Sequence, residues 1–157
     1  MENTERELMW TQVATDLRAI NSSTSPYTNT IQLVSRDALL PSQFVGAMPG
    51  ISINDKGDEL LQNVSSGIRI WKAHGVFFVW ATSQPGMVGA TLLNSLGADV
   101  IYALTAPTLR AHPASGSDTC IHTEVTGHDT FMSVEGDAIH CVAIKAEFTY
   151  QNTWTEL

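Results

Sequence analysis

The chain has 157 residues, 43% of them hydrophobic and 15% charged, with 8 Lys and Arg against 16 Asp and Glu, a formal charge of -8. That length and composition fit one domain with a buried core and argue against a disordered or low-complexity chain. The acidic excess and scattered basic residues argue against a direct grip on nucleic acid, and the longest apolar run, the six residues 76–81, is far short of the ~20 a membrane helix needs.

The first element reads as a helix. Thr4 and Glu7 have capping-box spacing, which lets side chains satisfy free backbone N–H groups. Trp10, Val13, Leu17 and Ile20 then recur at three- and four-residue steps and give one apolar stripe. Residues 21–26, which compete for backbone hydrogen bonds, end it. A short strand is predicted over residues 30–35. Residues 37–49 read as irregular, with Pro41, Gly46 and Pro49, yet they carry Leu39, Leu40, Phe44, Val45 and Met48. This segment either folds back over the core or docks on a neighbouring subunit. Residues 50–54 form another short strand, followed by a polar turn over 54–59 in which Gly57 is expected at positive φ.

Residues 67–82 give the strongest β signal. They form one long strand with a bulge near Gly75, or two strands. The second half is apolar on both faces, as expected of a central strand covered by helices on one side and by something else on the other. Pro85 suits a helix start. Val88, Leu92, Leu96 and Val100, with Leu93, Ile101 and Leu104, then make a wide helical stripe that closes at Ala106 and Pro107. In the last third, residues 120–125 alternate, 126–129 read as a turn, and 140–150 alternate with Val142, Ile144, Ala146, Phe148 and Tyr150 inward. Lys145, Glu147 and Thr149 fall on the wet side. No repeat or linker divides the chain, so residues 1–157 are expected to form a single domain. The order of elements predicts an α+β fold, an antiparallel β-sheet with two main helices packed on one face.

Motifs for chemistry are sparse. The esterase nucleophile elbow and the glycine-rich phosphate and dinucleotide loops are absent. Asp58 and Glu59 beside Lys56 read as a solvated turn. Cys120 and Cys141 form no CxxC pair, leaving two reduced thiols or a cross-strand disulfide. His112, His122, His128 and His140 gather near Asp129 and both cysteines in the sequence. If the last two strands pair as a hairpin, Cys120 and His122 could approach His140 and Cys141, although a four-ligand site would need a bulge to bring all four to one face. Trp154 stands in a polar tail, as a domain-closing or an inter-subunit anchor. No catalytic residue, cofactor or metal is expected, and the polar N-terminus does not read as a secretory signal, which makes cytoplasmic synthesis the default.

Several stretches resemble the tail terminator (tail completion) proteins of long-tailed phages. They are the Pro-led strand and acidic turn Pro49-Gly50-Ile51-Ser52-Ile53-Asn54-Asp55-Lys56-Gly57-Asp58-Glu59, the central strand at residues 77–81, the second helix and exit LNSLGADVIYALTAPTL at 93–109, and a closing strand at 142–150 that ends Glu147-Phe148-Thr149-Tyr150. The resemblance runs over nearly the whole chain; the 37–49 segment and the His-rich 112–140 region have no match in it. It implies a virion protein, assembled in the host cytoplasm, whose copies form a ring, usually a hexamer. That ring caps the head-proximal end of the tail tube, stops tube polymerisation and meets the head connector or neck protein, while DNA passes through the lumen without specific binding. Such a protein needs ring-closing contacts rather than a pocket. The residues expected at these contacts are Leu39, Leu40, Phe44, Val45, Met48, Asp55, Lys56, Asp58, Glu59 and Trp154. The competing expectations are another neck or head-closure protein, a small metal-dependent enzyme using His122, His128, Asp129 and His140, and a ligand-binding domain with an apolar pocket under the second helix.

Overall fold

The computed structural model describes residues 5–37, 41–44, 46–65, 67–82, 89–106, 110–111, 118–131 and 139–153. Its elements in chain order are helix α1 (Glu5–Arg18), strand β1 (Leu33–Ser35), a single 3₁₀ turn (Pro41–Phe44), β2 (Gly50–Ser65), β3 (Ile68–Thr82), helix α2 (Gly89–Thr105), β4 (Arg110–Ala111), β5 (Asp118–Phe131) and β6 (Ile139–Thr153). The strands form one sheet in the order β1-β2-β3-β6-β5-β4. Every pairing is antiparallel except β1 with β2. The fold is α+β, with both helices on one face of a largely antiparallel sheet.

Alternation decides which side chains meet the helices, because successive strand residues point to opposite faces. On β3, Ala73, Phe77, Val79 and Ala81 are buried, and on β6 Val142, Ile144, Ala146, Phe148 and Tyr150 are buried. They share one cluster with Met9, Trp10, Val13 and Leu17 of α1 and Leu92, Leu93, Leu96 and Val100 of α2. Each fully buried large side chain contributes about 1.5–3 kcal/mol of hydrophobic stabilisation. At the centre, Trp10 meets the Phe148 ring edge-on at a centroid distance of 5.4 Å, and Phe77 and Phe148 are 6.1 Å apart.

Several sequence expectations change here. β3 is one strand, and its pairing with β6 is unbroken from Ile68 to Thr82, so there is no bulge at Gly75. Gly75 is required by packing instead: a Cβ there would stand 2.7 Å from Cη2 of Trp10. The expected turn at 54–59 is part of β2, which absorbs it as a register shift between Asp55 and Asp58. Gly57 sits at φ 90° as expected, and its N–H donates to Asp55 Oδ1 at 3.0 Å. The turn expected at 126–129 is likewise a shift within β5, between Val125 and Gly127. The strand expected over 30–35 shortens to Leu33–Ser35. Thr4 of the expected capping box lies outside the described residues.

Candidate functional site

The residues expected at subunit contacts divide into three groups. Leu39, Leu40, Val45 and Trp154 lie outside the described residues, as does His112. Phe44 is fully buried. It lies over Gly50, where any Cβ would collide with its ring. Gly50 pairs with Trp80 on the face away from the helices, so this part of the 37–49 segment folds back over the core. Ser52 Oγ donating to the Asp37 carbonyl at 2.9 Å ties down the same segment. Phe44 is thereby removed from the contact set, because no neighbour can reach it. Met48, half-buried, helps to line a surface cavity of about 240 Å³ with Gly46, Thr82 and Ile139.

The acidic residues of β2 behave differently from one another. Asp58 is not a solvated turn residue. Its side chain is only 11% exposed, and both oxygens accept from Arg6 at the start of α1, at 2.8 Å each. This is the planar two-point geometry that makes Arg–carboxylate pairs strong. Tyr150 Oη also donates to Asp58, and Arg6 also pairs with Asp55. The Asp58 bond raises the Arg6 pKa further above its usual value, against a smaller opposing effect of burial. Burial first, then the bond to Asp58, pushes the Tyr150 phenol up as well. Asp58 therefore fixes α1 to the sheet rather than standing in a solvated turn. Glu59 stays outward at 57% exposure, with His74 Nε2 3.1 Å from its Oε1. Asp55 and Lys56 are exposed on the same edge.

The histidine cluster does not assemble. β5 and β6 pair as expected, but Cys120 lies opposite Tyr150 and His122 opposite Thr149, while Phe131 lies opposite Cys141. Thr149 and Cys141 stand eight positions apart on β6, about 26 Å at strand rise. His128 turns to the helix face instead. Its Nε2 would be 2.8 Å from a Cβ on Gly97, which explains the glycine in α2 at that crossing. Among the described residues no three His, Cys, Asp or Glu side chains converge as metal ligands. Cys141 is buried, and burial pushes its thiol up to about 12. A second cavity, about 410 Å³, is lined by Arg18 and residues 31–34. Neither cavity lies beneath α2, whose inward Leu92, Leu93 and Leu96 are fully buried.

What remains is the sheet's own margin. β1 pairs with β2 only as far as Ser52, and β4 pairs with β5 only at Asp118 and Cys120. Among the described residues, β2 from Ile53 onward and β5 from His122 onward therefore have no strand on their outer side. Such edges present a row of unpaired N–H and C=O groups. Sequence reasoning missed the β2 extension beyond Glu59, because residues 60–65 show no clean alternation. The two register shifts there, between Leu60 and Gln62 and between Asn63 and Ser65, are the cause.

No protein-family model matches the chain, and no curated protein matches it either.

Proposed function

We propose that this chain is a structural subunit that assembles with its own copies into a ring, and that the ring is the head-proximal cap of a long-tailed phage's tail tube, meeting tube protein on one side and the connector on the other. One observation carries the self-assembly: among the described residues, two long open edges lie on opposite sides of one sheet. β2, β3, β6 and β5 alternate in direction, so β2 and β5 run antiparallel to each other. Rotating a copy about an axis along the strands brings its β2 edge beside the β5 edge of the first, in the antiparallel sense that sheet pairing favours. Two different surfaces joined by rotation make a heterologous contact, which closes into a ring when the rotation divides a full turn. A polar pair supports this register. Glu59, Lys72, Thr149 and His122 form one row across the sheet, so an unstaggered junction sets exposed His122 beside Glu59 of the next copy. The tail-cap assignment rests on the resemblance described above.

The test is a mass measurement and negative-stain imaging of the purified protein, followed by mixing with polymerising tail-tube protein. Rings that bind tube ends and stop tube growth are expected. A strict monomer that neither binds tube protein nor limits tube length refutes the reading.

A further inference from the structure

On the helix-free face of the sheet, the His74 ring has a carboxylate on each side. Its Nε2 is 3.1 Å from Glu59 Oε1 on β2, and its Nδ1 is 3.5 Å from Glu147 Oε1 on β6. Lys72, opposite Glu59 in the ladder, has its ammonium 3.4 Å from Glu147 Oε2. A neutral imidazole offers one N–H and one lone pair. It can donate to one of the two carboxylates, and its other nitrogen then faces a carboxylate oxygen, lone pair against lone pair. A cation between them removes the conflict. In a lone chain a proton does so, and a metal ion does so where further ligands are at hand.

The distances are those of half a metal site. Two ligands of one tetrahedral zinc, each at about 2.0–2.1 Å, lie about 3.3 Å apart. The Nε2–Oε1 separation of 3.1 Å is close to this. The carboxylate beside Nδ1 has its counterpart in such sites. A ligating histidine commonly donates its other ring N–H to a carboxylate, which fixes the tautomer and aims the remaining lone pair at the ion. Glu147 holds that position. The His74 and Glu59 side chains are 36% and 57% exposed, so solvent ions reach both. Within one chain, among the described residues, no set of three such ligands forms.

Further ligands stand on the opposite edge of the sheet, and here the argument for a site rests on the ring proposed above. The unstaggered junction sets His122 of the next copy directly opposite Glu59, at a Cβ separation of about 5 Å. Glu124 follows two residues later on β5, on the same face and in the row of Glu147 and His74. It is a diagonal neighbour of Glu59, within reach of a long side chain. His122 and Glu124 are both exposed. Two imidazoles and two carboxylates suit zinc and other divalent transition metals better than magnesium or calcium, which take oxygen ligands.

We propose that Glu59 and His74 of one copy, with His122 and Glu124 of the next, hold one divalent transition-metal ion at each ring junction. Every copy carries two half-sites, one at each edge, and an ion is fully held when two copies meet. The ion strengthens a junction that strand pairing already makes.

The experiment takes the untagged full chain, strips it with a chelator and adds zinc chloride. Light scattering and negative stain follow assembly, and elemental analysis after gel filtration counts bound zinc. About one zinc per ring subunit is expected, and zinc should lower the protein concentration at which rings form by about tenfold. His74→Gln and His122→Gln, each checked for folding by circular dichroism, should lose the zinc and its effect on assembly. A mixture of the two variants should regain zinc at about a quarter of its junctions, because one copy then supplies His74 and its neighbour supplies His122. Rings without stoichiometric zinc overturn the site and leave the ring standing. Zinc held equally well by the monomer or by either variant does the same, as does a mixture that regains none. A chain that stays monomeric with and without zinc overturns the ring and this site together.

Discussion

Asp58, Arg6 and Tyr150 tie the first helix to the sheet through side chains far apart in sequence. Replacing Asp58 by Asn removes the charge that Arg6 faces and is expected to cost about 2 kcal/mol, measured by urea unfolding. Asp55→Asn, at a more exposed carboxylate, should cost less than about 1 kcal/mol. Titration gives the buried groups of β6 a sign. The folded state raises the Cys141 thiol from 9.0 to about 12 and also raises the Tyr150 phenol above 10.0. The native protein therefore holds protons that the unfolded chain releases. This contribution is complete below pH 9 and is lost as pH climbs from 9 toward 12. Unfolding midpoints should fall over that window, and Tyr150→Phe should flatten part of the decline.

Glycines and one buried carboxylate set how the elements meet. At Gly75 a valine would drive its side chain into the Trp10 ring, which already lies 2.7 Å from the place its Cβ would take, and overpacking of this kind costs about 1–3 kcal/mol. A thermal melt of Gly75→Val against wild type checks this. The apolar stripe of α2 is interrupted by Asp99, 6% exposed. Its carboxylate accepts the Asn29 N–H at 2.9 Å, the Thr28 N–H at 3.2 Å and Asn29 Nδ2 at 2.9 Å. It thus clasps the segment after α1 to α2. Asp99→Ala leaves those backbone donors without their acceptor, and a loss of about 2–3 kcal/mol is expected, with faster amide exchange at Thr28 and Asn29 as its local signature.

At the scale of the whole molecule, the open margin of the sheet is what the proposed ring uses. If His122 of one copy lies beside Glu59 of the next, His122→Glu should reduce the ring fraction seen in negative stain. Adding Glu59→Lys in the same chain should restore it, because the two substituted side chains are opposite in charge. A ring fraction unmoved by either change would place the junction elsewhere. The helices stand on one face only, and the other face is closed near Trp80 by the Phe44 turn. It is crossed lower down by Lys72, His74 and Glu147, with Lys72 Nζ 3.4 Å from Glu147 Oε2.

Periodicity determined what depends on local pattern. The stripes of Trp10, Val13 and Leu17 and of Leu92, Leu96 and Val100, and the alternation of 142–150, specified two helices and a half-buried closing strand, because an amphipathic face must be buried wherever the chain takes it. The positive φ of Gly57 was legible for the same local reason. Pairing register was not legible. The acidic 54–59 stretch reads as a turn until β3 lies beside it and draws it into a bulged strand, and the histidines look clustered until register sets His122 of β5 opposite Thr149, at the far end of β6 from Cys141. Burial of Phe44 under a strand glycine, the Arg6–Asp58 bond and the open edges of β2 and β5 all depend on which segments come to lie side by side. Tertiary structure alone decided them, because no local preference records which distant strand or helix arrives as the neighbour.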